Sequence, residues 1–176
     1  MNKIIVVGTT GSGKSTLSES LSSKLNIPYI QLDQLFWKPN WQWSTDEEFF
    51  ENIQKAIEGK DSWIIDGNYH RTQFITWPLA DTVIWIDLPF YKILYQNLSR
   101  SIRRAIVHEE LWPNTGNRES FKRLLSKDSI IKWLVKTYPI MKKRYAEAIQ
   151  DPNYSHIKFY HLKSRSEVRD FISRIK

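Results

Sequence analysis

The stretch Lys3-Ile-Ile-Val-Val-Gly-Thr-Thr-Gly-Ser-Gly-Lys-Ser15 opens on an uninterrupted β-branched run and breaks into glycine at position 8. Ile and Val without polar alternation form the pattern of a strand buried on both faces, as in a parallel sheet. From Lys14 onward Leu17, Leu21 and Leu25 recur every four residues, which predicts a helix over 14–25. The junction Gly8-Thr9-Thr10-Gly11-Ser12-Gly13-Lys14-Ser15 fits G-x-x-x-x-G-K-[ST] at every fixed position, in the strand–turn–helix context that gives the motif its meaning. Glycines let successive backbone N–H groups turn inward without a Cβ clash. The helix that follows, with Thr16 in its first turn, presents its positive end to an anion. The motif implies a nucleoside triphosphate cradled by residues 8–16, with Lys14 on the β- and γ-phosphates and the Ser15 hydroxyl on Mg²⁺.

Working outward, further strands are predicted at Pro28–Leu32, Ser62–Asp66, Thr82–Asp87 and Ile157–Leu162. Helices are predicted over about 46–58, capped at Ser44 or Thr45 with Gly59 as a stop, and from Pro89 to about 107. In the latter, Leu94, Leu98, Ile102 and Ile106 form a strict i+4 stripe, expected to face the core. Helix resumes near Arg118, runs again over about 129–149 with a bend or break expected at Pro139, and closes the chain after a cap at Ser164 or Ser166. Strands alternating with helices mean an α/β fold, a parallel sheet with helices on both faces. No repeat or linker interrupts 1–176, so one domain is expected.

Composition narrows the function classes. With 41% apolar and 26% charged residues the chain is globular rather than disordered. It has no cysteine, which excludes disulfides and thiolate metal sites. The few apolar residues before Gly8 are too short for a signal peptide or a membrane span, so a cytoplasmic location and no membrane partner are expected. The formal charge is +7, unevenly spread: residues 88–150 hold 13 Lys and Arg against 5 Asp and Glu, whereas the rest holds 13 against 14. A localised basic field suits a nucleoside triphosphate as readily as nucleic acid.

Other residues sit where ligand chemistry is done. Asp66 ends a strand and would lie at the ligand edge of the sheet, unless it only starts an Asp-Gly turn. Asp87 also ends a strand, and is expected to cap the helix after Pro89. Arg100, Arg103 and Arg104 share one helical stripe just before the turn-rich Pro113–Asn117. That stripe is either a solvated basic face or a set of forked phosphate contacts. Arg118 lies across the same turn.

The spacing from the glycine loop to Asp66-Gly67, the arginines at 100–104 and the chain length together resemble the adenylate-kinase-like P-loop nucleoside and nucleotide kinases. More narrowly, LDQLFWKPNW, WIIDGNY, ADTVIWIDLP and NRESF are similar to a bacterial set of kinase-like proteins known as DNA topology modulation proteins, over about residues 3–162. The resemblance implies a five-stranded sheet of order 2-3-1-4-5, an acceptor-binding segment over about 33–60 and a short helical lid over about 105–122. It implies that Asp66 orders magnesium-bound waters, and that Arg100 and Arg104 act in catalysis with Lys14 while Arg103 and Arg118 grip the nucleotide. Lys163 and Arg165 fall where this fold borders adenine, a pointer to ATP.

On the acceptor side the chain departs from the nucleotide kinases, which hold an acceptor phosphate with arginines. Here the first arginine anywhere is Arg71, and residues 34–60 offer only Lys38, Lys55 and Lys60. Candidate acceptor contacts are Asp33, Trp37, Lys38, Trp41, Gly67, Asn68 and Arg71. Asp33 is either a base for an acceptor hydroxyl, as in P-loop kinases of hydroxyl compounds, or a helix cap. Trp37, Trp41 and Trp43 either pack a small subdomain against Phe49 and Phe50 or offer a stacking wall. The leading expectation is transfer of the ATP γ-phosphate to a small acceptor: a nucleoside monophosphate, a nucleoside or another hydroxyl compound. A nucleic-acid-associated ATP-binding regulator and a non-catalytic nucleotide-binding protein are the alternatives, and monomer and homodimer both remain open.

Overall fold

In the computed structural model, which describes residues 1–126 and 129–175, five strands form one sheet: β1 (Lys3–Gly8), β2 (Tyr29–Gln31), β3 (Trp63–Asp66), β4 (Thr82–Ile86) and β5 (Lys158–Leu162). They are ordered β2-β3-β1-β4-β5, and every neighbouring pair is parallel. β1 is the hub: Ile5 sits beside Ile65 on one flank and Val83 on the other. Its side chains alternate between two cores. Ile5 and Val7 join Trp63, Ile65, Val83 and Trp85 in one. Ile4 and Val6 join Ile64, Ile84 and Ile86 in the other. Burial on both faces is why this strand lacks polar alternation.

Helix α1 (Lys14–Leu25) packs Leu17 and Leu21 into the second core. After β2 the chain makes a short helix α2 (Leu32–Phe36), then α3 (Asp46–Ile57). Thr45 and Glu48 form a reciprocal capping box at the start of α3, and Phe49 and Ile53 are fully buried from it in the first core. Beyond β3 come a one-turn helix α4 (Gln73–Thr76) and β4, then α5 (Phe90–Val107), α6 (Phe121–Leu125), α7 (Ile130–Ala148) and the terminal α8 (Arg165–Arg174), capped by Ser164. Helix α7 runs as one element through Pro139 rather than breaking there. No helix among the described residues is long and apolar enough to cross a membrane.

Two expectations are corrected. The inward stripe of α5 is Ile93, Asn97, Ser101 and Ala105, whereas Leu98, Ile102 and Ile106 face solvent. At Asn97 the reason is steric: there the helix lies against the backbone of the glycine loop, where a hydrogen-bonding side chain fits and a leucine does not. Asp87 does not cap α5. Its carboxylate, nearly buried, takes Nε2 of His161 at 3.0 Å and Lys142 Nζ at 3.7 Å, and His161 stacks flat on Trp85 at 3.9 Å.

Candidate active site

The loop 8–15 leaves β1 with Gly8, Gly11 and Gly13 all at positive φ, a succession that bulkier residues resist. Its outer rim is braced by α5. Asn97, with no exposed surface, donates from Nδ2 to the carbonyls of Thr10 (2.8 Å) and Ile93 (3.0 Å), and its Oδ1 accepts from Arg100 (3.1 Å). The approach is so close that a Cβ on Gly11 would stand 2.1 Å from Asn97 Nδ2. With its amide oriented to satisfy its neighbours, Gln96 donates to the Gly11 carbonyl (2.7 Å) and accepts from Arg165 (2.7 Å). The root of the loop is stitched to β3. The Asn68 amide pairs with both the N–H and the carbonyl of Gly8, and its Oδ1 also accepts from Tyr145 (3.0 Å). A glycine-loop motif is therefore held from three sides by residues that no local pattern marks.

At the loop's mouth Lys14 rests against its own turn, donating to the Thr9 carbonyl (3.3 Å). Desolvation lowers its pKa, opposed by Asp66 and Asp33 and reinforced by Arg100. Asp66, 3% exposed, lies beside Val6 on β1 and accepts from Tyr29 (2.9 Å). Its pKa is raised, first by burial, against the pull of Lys14, Ser15 and Tyr29. The Ser15 hydroxyl lies close enough to both groups to pull the pKa of Tyr29 and of Asp66 down against burial. Burial likewise raises the Tyr29 and Tyr69 phenols, so both remain donors. Arg100 is exposed along its length, yet desolvation at its head, then Arg104, lowers its pKa while Asp33 and Glu119 oppose the shift. A guanidinium so placed stays charged. Lys14, Asp66, Asp33 and Arg100 thus act on one another across one cleft.

Asp33 lies in the first turn of α2, whose start at Gln31 has no side-chain cap. Rather than capping, its Oδ1 accepts from the Tyr69 hydroxyl at 2.6 Å. Of the remaining acceptor-side candidates, Gly67 is where α2 seats: a Cβ there would meet Leu32 at 2.8 Å. Asn68 is engaged by Gly8. Lys38 pairs with Glu48 at 2.6 Å, and Arg71 with Asp46 at 2.8 Å while lying 4.9 Å over the Phe36 ring. Arg103 and Arg118 are exposed, as is Lys163, and Arg104 is half-buried.

The segment expected to form the lid meets the one expected to bind the acceptor directly. Residues 110–118 close into a small loop, with Glu110 paired to Arg118 and the Glu110 carboxylate accepting from the Thr115 and Gly116 amides. From this loop Trp112, 8% exposed, stacks on Trp37 at 5.3 Å and 10°. Trp41 meets both rings edge-on, and the Arg123 guanidinium caps Trp41 at 3.4 Å. Buried Asn117 completes the latch, accepting from the Trp41 N–H (2.8 Å) and donating to the Lys38 carbonyl (2.9 Å). We call this group of rings the roof.

A glycine-loop cradle, a caged lysine, an acid at the end of β3 and arginines leaving α5 define the P-loop kinase-like class. The chain belongs to the AAA domain family, whose match spans residues 4–105, more than half of its length. Among solved structures it is similar to shikimate kinase from Bacteroides thetaiotaomicron, at 16% identity and a TM-score of 0.50, over 97% of this chain and 94% of that one. It is similar also to an unliganded sugar kinase from Janibacter sp. HTCC2649, at 12% identity and a TM-score of 0.53, over 97% and 90%. At such identities the likeness establishes the fold. No curated protein matches the chain in sequence.

Proposed function

We propose that this protein is an ATP-dependent phosphotransferase that moves the γ-phosphoryl group to a small acceptor: a nucleoside monophosphate, a nucleoside or another hydroxyl compound. The observation that carries the reading is the glycine loop braced by Asn97 and Asn68, with Lys14 folded back on the Thr9 carbonyl at its mouth and within electrostatic reach of Asp66, Asp33 and Arg100. Phosphoryl transfer asks little covalent help of the protein and much charge placement. The loop amides hold the triphosphate, Lys14 follows the β- and γ-phosphates, and Arg100 with Arg104 meets the charge that develops on the transferring group. Arg165, fixed through Gln96 to Gly11, and neighbouring Lys163 would border the base.

The residues fit a magnesium ion. No group of three or more His, Cys, Asp or Glu side chains among the described residues is arranged to hold a metal. Magnesium, however, keeps several waters and takes its other oxygens from phosphates and one or two protein groups. The Ser15 hydroxyl would be its direct ligand and buried Asp66 would hold its waters, in the oxygen cluster they already share with Tyr29. When bound, it neutralises phosphate charge and helps orient the group in transfer.

The test is ADP release across a panel of nucleotides, nucleosides and polyols. Release should rise with one acceptor and collapse, by at least about 10³-fold, in Lys14→Ala. ATP binding without acceptor-dependent release anywhere in the panel would overturn the kinase reading.

A further inference from the structure

We infer that the acceptor is uncharged where this protein grips it: a hydroxyl compound without a phosphate, so that a nucleoside or polyol is phosphorylated in preference to its own monophosphate. The inference rests on the kinase reading and deepens it. Between Asp33 and Tyr69 the only cations are Lys38, Lys55 and Lys60, and all are engaged. Lys38 lies 2.6 Å from Glu48, which the capping box of α3 holds in place. Lys55 pairs along α3 with Glu51 at 2.7 Å, and Lys60 donates to the Ala56 carbonyl at 2.7 Å. Arg71, the first arginine in the chain, is paired with Asp46 and laid over Phe36 and Phe49. Within this segment and the turn after β3, a phosphate on the acceptor would have to break one of these contacts to find a partner.

What the cleft offers instead is acid. Asp33 and Asp66 both act on Lys14, and a phosphate dianion beside two carboxylates is repelled. Lys14, Arg100 and Arg104 stand on the triphosphate side, where their charge is already needed. Asp33 is set up for a hydroxyl. The Tyr69 hydroxyl fixes one of its oxygens at 2.6 Å, which leaves the other to accept. In the step itself the acceptor O–H gives its proton to Asp33 and its oxygen bonds to the γ-phosphorus. The bond from that phosphorus to the β,γ-bridging oxygen breaks, and ADP leaves with the electron pair. The proton then passes from Asp33 to water.

The experiment compares matched pairs in which only the phosphate differs: adenosine with AMP, cytidine with CMP, ribose with ribose 5-phosphate, glycerol with glycerol 3-phosphate. ADP release is measured for each, and binding of the monophosphates is measured by calorimetry with the triphosphate site filled by a non-hydrolysable ATP analogue. The expected result is a kcat/KM at least about tenfold higher for the neutral member of the active pair, lost in Asp33→Asn. Calorimetry should find no monophosphate binding tighter than about 1 mM. Tighter binding, or faster phosphorylation of a monophosphate than of its neutral partner, overturns the inference while leaving the kinase reading intact. No stimulation by any member, with no monophosphate bound, overturns the kinase reading and this inference with it.

Discussion

Asn97 carries more of the site than any single motif residue outside the loop. One buried amide supports the Thr10 carbonyl and tethers Arg100, so loop shape and arginine position depend on the same side chain. Gly11 is its counterpart, since a methyl there would strike that amide from a backbone already at positive φ. Gly11→Ala is therefore expected to weaken ATP binding at least tenfold and to destabilise the protein by about 1–3 kcal/mol, read by calorimetry and thermal unfolding. Unchanged affinity would show that the loop does not need this contact. Asp66 gives a prediction of the opposite kind. Burial raises its folded pKa above the unfolded value, so the folded protein holds that proton to higher pH. The stability linked to it is complete below the unfolded pKa and is lost as pH rises through the folded one. Above that folded pKa the ionised carboxylate is a cost to the fold. Asp66→Asn should leave the melting temperature of the nucleotide-free protein unlowered while reducing turnover at least about 100-fold. A drop of several degrees would mark Asp66 as a structural group instead.

The elements differ in how far their sequence betrays them. β1 and α1 flank an unmistakable motif, and the start of α3 follows the expected cap at Ser44 or Thr45, so both were legible from the chain alone. The orientation of α5 was not. Periodicity selects the face richest in leucine and isoleucine, but this helix turns Asn97, Ser101 and Ala105 inward, and at Asn97 the backbone of the glycine loop lies against it. Ile102→Ser should consequently change stability by no more than about 0.5 kcal/mol, whereas Ile93→Ala should cost about 2–4 kcal/mol in denaturant unfolding. The reverse order would restore the leucine stripe to the core. Candidate-site partners were hidden for a different reason. Tyr69 reaches Asp33 across 36 positions and Asn117 reaches Trp41 across 76, and no local pattern encodes such pairings. The tryptophans after Asp33 stood out as aromatic surface without revealing that Trp112 would lie on them.

Over the whole molecule, the basic excess of residues 88–150 invites a nucleic-acid reading, yet the structure gives much of it other work. Arg100 donates to Asn97, Arg123 caps Trp41, and Lys142 approaches Asp87. Duplex DNA is expected to show no retention by this protein at 50 mM salt in a mobility-shift assay. Retention that weakens by about 10³-fold or more between 50 and 200 mM salt would instead identify a backbone-binding regulator. Strand–helix alternation implied only a parallel sheet; its order was implied by the resemblance, and the five parallel strands have it. The acceptor could not be read at this scale before the ion pairs of Lys38 and Arg71 were known.

The roof also gives the protein its own optical clock. Three of the eight tryptophans sit in it, with Trp112 almost wholly shielded from water and the Arg123 guanidinium 3.4 Å from the Trp41 ring. On the proposed reading, an acceptor entering beneath would part residues 110–118 from residues 37–41, hydrating Trp112 and lifting Arg123 away. Stopped-flow emission should then shift to longer wavelength on opening and return on closure, with the signal largely removed in Trp112→Phe. If the return is as slow as turnover, the gate rather than the phosphoryl transfer sets kcat.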